Sequence, residues 1–227
     1  MSDLSSNYEH VMSRIQAATE HAKRVNAPAL MAVSKRHGVE SIKALAAFGQ
    51  VDFGESYAQE GVKKIQLLKE LPLVWHFIGP IQSNKVKLIA ANFDWVHSID
   101  RMKTLKLLSH HRANVQAPLN VLLQLKIGDE PSKSGATFEG VIELAAHADK
   151  FEGVILRGLM CIPPASNDIN MQCDYFQEAV DVFNEMASKY PQVDTLSMGM
   201  SGDLEAAIQT GSTMVRVGTD IFGKRPE

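Results

Sequence analysis

Short apolar runs alternate with amphipathic stretches along almost the whole chain. The runs are ALMAVS (29–34), VDFG (51–54), LVWHFIG (73–79), FDWVHSI (93–99), LNVLLQL (119–125), GVILRGLM (153–160), VDTLSMG (193–199) and TMVRVG (213–218). Each has the length of a strand and is followed by a segment with helical spacing; in 171–187 that spacing aligns Tyr175, Ala179, Val182, Phe183 and Met186. Strands apolar on both faces that alternate with helices predict a parallel sheet clad by helices. Eight such units predict one α/β domain over residues 1–227, a closed (β/α)8 barrel of the TIM type. A doubly wound open sheet is the competing arrangement. Ahead of the first run, Val11, Ile15, Ala18, Ala22 and Val25 share one helical face, which predicts an extra N-terminal helix. The stretches GDEPSKSG (128–135) and PPASNDIN (163–170) read as short loops.

Composition narrows the setting. With 227 residues, 45% of them hydrophobic and 22% charged, the chain has enough apolar material for a large core. Net charge is -3 and basic residues are interspersed with acids, so no footprint for nucleic acid or a lipid surface is expected. The opening MSDLSSNYEH lacks the basic and apolar regions of a signal peptide, and no run of about 18 apolar residues could span a bilayer. Cys161 and Cys173 are too few for a disulfide framework and read as free, packed thiols in a reducing compartment. A cytoplasmic protein is expected.

Candidate chemistry falls where a barrel would use it, at the C-terminal ends of the strands. Lys35 closes the first run and Glu55 the second; His76 lies in the third, followed by Gly79, Gln82 and Asn84; Asp100 follows the fourth. Lys133 lies in the loop after the fifth, Ser197 and Ser201 bracket the end of the seventh, and Arg216, Gly218 and Thr219 end the eighth. An ordinary lysine is protonated at neutral pH, but desolvation or a nearby cation can make it nucleophilic, and a strand end at the barrel rim suits that. From position alone Lys35 reads more readily as a lysine snorkelling off a strand end.

Ser201-Gly202-Asp203 is placed to open a helix, with Ser or Asp as its N-cap, and Gly218-Thr219 lets backbone approach a ligand. Together these predict an anion cradle after strands seven and eight. Strand eight closes the barrel against strand one, so a phosphorylated ligand held there can reach Lys35. Met200 could pack on a flat ring or fill core. His76 reads more readily as a packed histidine than as a functional one, and His110-His111 matches no metal-ligand spacing.

The motifs AVSK around Lys35, FGESYAQE (53–60), WHFIG with IQSNK, SKSG, GLM with IPP, and LSMGMS with GSTMVRVGTDIFGKR resemble the pyridoxal phosphate homeostasis protein family over nearly the whole chain. The resemblance implies a barrel like the N-terminal domain of alanine racemase, with pyridoxal 5′-phosphate (PLP) held as a Schiff base on Lys35. It further implies phosphate binding by Ser201, Gly218 and Thr219, an arginine, Arg216, facing the pyridine nitrogen, and a second lysine, Lys133, that takes part in PLP movement. His76, Glu55, Ser197 and Met200 complete the expected cofactor-binding set. Three departures stand out: Ser56 where the family has Asn, Pro80 after Gly79 where it has His, and Gly202 where it has a polar or acidic residue.

The function implied is a PLP carrier or buffer without substantial turnover, with apo PLP-dependent enzymes as partners. Two alternatives remain: an amino-acid racemase, and a PLP-independent barrel enzyme acting on a phosphorylated sugar through Lys35. The chain ends directly after the last barrel helix, so the separate domain that gives a racemase of this type its second base is not expected. The sugar enzyme leaves Arg216 unexplained.

Overall fold

The computed structural model describes residues 2–113, 117–128 and 134–223. Eight strands close into a parallel barrel in sequence order. They are β1 (Ala29–Val33), β2 (Asp52–Glu55), β3 (Val74–Phe77), β4 (Trp95–Ile99), β5 (Leu119–Leu125), β6 (Val154–Cys161), β7 (Thr195–Ser197) and β8 (Met214–Val217). The barrel seam is the pairing of β8 with β1, where Met31 lies opposite Arg216. The connecting helices are α2 (Val39–Ala47), α3 (Ala58–Leu67), α4 (Val86–Asn92), α5 (Met102–Arg112), α6 (Phe138–Ala148), α7 (Ile169–Lys189), α8 (Leu204–Thr210) and α9 (Thr219–Phe222). The open-sheet alternative is excluded by this closure.

Strand alternation divides the apolar residues into two layers. Leu30 and Ala32 of β1, Phe53 of β2, Trp75 and Phe77 of β3, and Val215 and Val217 of β8 join the continuous core between sheet and helices. Their neighbours Met31, Val33, Met160 and Met214 are buried too, but outside that core, on the barrel's inner side. Gly54 belongs to the inner set, because a Cβ there would sit 2.7 Å from the sulfur of Met31. The inner layer also carries polar groups: His76, His97, Ser197 and Arg216 are all buried.

The expected N-terminal helix is α1 (Ser2–His21), which lies against α2, α8 and α9. Val11, Ile15 and Ala18 are buried as the pattern predicts, whereas Val25 is 97% exposed. The helix has ended by then, and Lys23 takes a left-handed φ of 54°, which breaks the face before Val25. No helix among the described residues is long and apolar enough to cross a membrane.

Candidate functional site

A cavity of about 280 Å³ opens at the C-terminal end of the barrel. Val33 and Lys35 reach it from β1, Met160 and Ile162 from β6, Met200 to Gly202 from the loop after β7, and Arg216, Gly218 and Thr219 from β8 and beyond. Six residues of the expected cofactor-binding set therefore share one cavity: Lys35, Met200, Ser201, Arg216, Gly218 and Thr219. Ser56 and Ile78 close the side nearest β2 and β3. His37, which sequence patterning passes over, also lines it and stacks on Phe222 with ring centroids 4.8 Å apart. Gln82 and Asp100 lie in flanking grooves that share Ile78 with the cavity, whereas Asn84 is exposed outside both.

The loops are held by contacts beneath them. Asp203 is the N-cap residue of α8 but makes no side-chain cap bond there; its carboxylate instead accepts the backbone N–H of Met200 at 2.6 Å. That bond folds Met200 to Gly202 into a tight turn facing the cavity. Arg14, from α1, ties the turn to its neighbours: it donates to the carbonyl of Ser201 at 2.9 Å, to Glu205 of α8 at 2.8 and 3.0 Å, and to Asp220 of α9 at 2.7 Å. One guanidinium thus fixes the elements after β7 and β8 to each other. Gly79 serves the opposite side, where a Cβ would fall 2.1 Å from the carbonyl oxygen of Ser56, so the two loops can meet only over a glycine.

Arg216 is the buried cation of the cavity wall, 4% exposed. It donates to Ser197 Oγ at 2.9 Å and to the carbonyl of Cys161 at 2.9 Å. Burial pulls its pKa down, opposed by Cys161 and Asp203. The Cys161 thiol is pushed up to about 12 by burial, so it stays protonated and inert, in keeping with a packing role.

Three expected ligand-binding residues stand elsewhere. Glu55 follows inward-facing Gly54, so alternation turns it outward beneath α3. There, fully buried, it accepts from Lys64 Nζ at 2.7 Å and from the Ser34 hydroxyl at 2.6 Å. Burial raises its pKa, and Lys64 and Ser34 work against that rise. His76 bonds to Asp52 at the start of β2, away from the cavity, and Ser197 lies below Arg216 without lining the cavity. Lys133 lies outside the described residues.

Residues next to Lys35 are clamped from α3. Lys64 Nζ donates to the carbonyl of Ser34 at 2.8 Å and to Glu60 at 2.6 Å, and Glu60 accepts the N–H of Arg36. Neither Lys64 nor Glu60 carries a sequence signal, since both read as polar positions of an amphipathic helix.

The model of the alanine racemase N-terminal domain family matches residues 6–226. The chain is 46% identical over 230 residues to the pyridoxal phosphate homeostasis protein of Vibrio cholerae, covering 99% of this chain and 98% of that one. It is 44% identical to the protein of the same name from Escherichia coli K12, with 99% and 98% covered. Among solved structures, PipY of Synechococcus elongatus with PLP bound superposes with a TM-score of 0.84 at 30% identity, covering 97% of this chain and 100% of that one. A diaminopimelate decarboxylase from M. jannaschi, at 14% identity and a TM-score of 0.73, covers 96% of this chain and 59% of its own, and shares the fold.

Proposed function

We propose that this chain, which belongs to the alanine racemase N-terminal domain family and within it to the pyridoxal phosphate homeostasis proteins, binds PLP and carries it within the cytoplasm without substantial turnover. The observation that carries the reading is the meeting of Lys35, Arg216, Ser201 and Thr219 around one cavity. Those residues fit the cofactor's parts. Ser201 and Thr219 offer hydroxyls for a phosphate, and Gly202, where a Cβ would meet nothing within 4 Å, leaves space beside them. Val33, Ile78, Met160 and Ile162 supply apolar wall for a flat ring. Arg216, which can only donate, suits an acceptor such as a ring nitrogen. When bound, PLP supplies an aldehyde that condenses reversibly with an amine, and Lys35 is the amine assigned to it. The names of the relatives, and PLP bound in a solved neighbour, support the cofactor.

Arg216 also disfavours carbanion chemistry on the ring. PLP enzymes that form carbanions often keep the ring nitrogen protonated through an acidic partner. A guanidinium at that nitrogen leaves it unprotonated, and the ring withdraws electrons poorly. Lys133, in the proposed scheme, receives PLP from Lys35 on its way to an apo-enzyme. The test is to incubate the loaded protein with D- and L-amino acids in deuterated water and follow α-proton exchange by NMR. Only slow background exchange is expected. Rapid racemisation abolished by Lys35→Ala would replace the carrier with a racemase.

A further inference from the structure

A line of hydrogen bonds crosses the barrel from its N-terminal rim to the cavity. Asp52 Oδ1 lies 2.8 Å from His76 Nε2, His76 Nδ1 lies 2.9 Å from His97 Nε2, and His97 Nδ1 lies 3.2 Å from Ser197 Oγ. Ser197 Oγ in turn accepts from Arg216 Nη1 at 2.9 Å. His97 is on β4 and Ser197 on β7; these strands are not neighbours in the barrel, so this bond passes through its interior. The three middle members have no exposed surface, whereas the Asp52 side chain is 28% exposed.

With one proton on each imidazole, the two ends set the direction of every bond. Arg216 can only donate and an ionised Asp52 can only accept. Ser197, having accepted from Arg216, donates its hydroxyl proton to His97 Nδ1. His97 is then protonated at Nε2 and donates to His76 Nδ1, and His76 is protonated at Nε2 and donates to Asp52. Reversing the histidines without adding a proton would set a lone pair of His76 Nε2 against the carboxylate and leave the Ser197 hydroxyl proton with no acceptor in this line. Burial, reinforced by the Arg216 charge, holds the His97 pKa well below the usual histidine range, in keeping with a neutral ring.

We infer that Asp52 is a positioning residue for the cavity, acting through His76, His97 and Ser197 to fix the Arg216 guanidinium. Aligned hydrogen bonds polarise one another in a low-dielectric interior, so the Asp52 carboxylate offsets part of the buried charge of Arg216. The line occupies one guanidinium donor and Cys161 O another; the rest remain available to the cavity that Arg216 lines. The inference rests on the reading that Arg216 faces bound PLP.

The test is ¹⁵N NMR of the histidine rings in the full-length protein without PLP, paired with PLP titration. In the wild type His76 and His97 should each show a protonated Nε2 and a pyridine-type Nδ1. Asp52→Leu should disturb this pattern at His97, which does not touch residue 52, and should raise the PLP dissociation constant about tenfold, equivalent to about 1.4 kcal/mol. Asp52→Asn, whose amide oxygen still accepts, should restore the His97 pattern. An unchanged His97 in folded Asp52→Leu, or a doubly protonated His76 in the wild type, would overturn the inference. Wild-type protein that shows the tautomers but binds no PLP would instead overturn the carrier reading.

Discussion

Glu60 Oε1 accepts the backbone N–H of Arg36 at 2.6 Å, one residue beyond Lys35. Arg36 has a left-handed φ of 65°, an arrangement that costs a residue other than glycine about 1–2 kcal/mol. The carboxylate therefore holds a strained turn that sets the direction in which the chain leaves Lys35. Glu60→Ala should lower stability by about 0.5–1.5 kcal/mol, the net worth of one hydrogen bond, because water can reach the exposed Arg36 N–H. Replacing Arg36 by glycine in that background should recover part of the loss, because glycine adopts the turn without strain. Urea denaturation midpoints of the single and double variants check this; additive losses would mean that the turn is not what Glu60 supports.

Lys64 and Glu55 predict a signed pH dependence. The Glu55 carboxyl is raised by burial and held back chiefly by Lys64. Its folded pKa exceeds its unfolded one, so its contribution favours the folded state most below the unfolded value and falls as pH rises through the folded value. Lys64→Met removes the compensating cation and should cost about 3–5 kcal/mol at neutral pH, the range for breaking a buried ion pair. The deficit should shrink as pH is lowered and Glu55 takes up its proton, and Glu55→Gln should rescue part of it. Unfolding curves collected at several pH values test this, and a deficit independent of pH would contradict it.

Arg14 predicts a selective effect on the phosphate. It joins the turn after β7 to α8 and α9 without lining the cavity. Arg14→Met should weaken PLP binding about tenfold, equivalent to about 1.4 kcal/mol, and weaken pyridoxal binding much less. Titrations of both ligands give the ratio, and equal losses would mean that the N-terminal helix supports the barrel in general rather than the anion cradle. Glu205 adds a pH sign. The hydrogen bond from Arg14 lowers its pKa, so its stabilising contribution is present above the unfolded carboxyl pKa and is lost as pH falls through the depressed one.

The barrel was legible because strand and helix periods alternate without interruption, and the meeting of Lys35, Ser201, Arg216 and Thr219 at one cavity was legible because strand ends in a barrel converge. Glu55 was misplaced by one residue of parity: it ends its strand as Lys35 follows β1, but Gly54 takes the inward position. His76 does face inward, yet it bonds to Asp52 at the opposite rim and to His97, and reaches the cavity only through other residues. The supports were invisible for a different reason. Arg14 and Glu205 are 191 residues apart, and each reads alone as an ordinary charge on a helix face. His97 sits in an apolar run, and only closure of the barrel brings it to Ser197 across the interior.

Covalent attachment of PLP to Lys35 is read out by borohydride reduction of the PLP-loaded protein, proteolysis and peptide mass mapping. The pyridoxyl-phosphate mass increment is expected on the peptide containing Lys35, and should be lost from that position in Lys35→Ala along with most of the affinity. An increment on another lysine in the wild type, or a Lys35→Ala protein that binds PLP with unchanged spectrum and affinity, would contradict it.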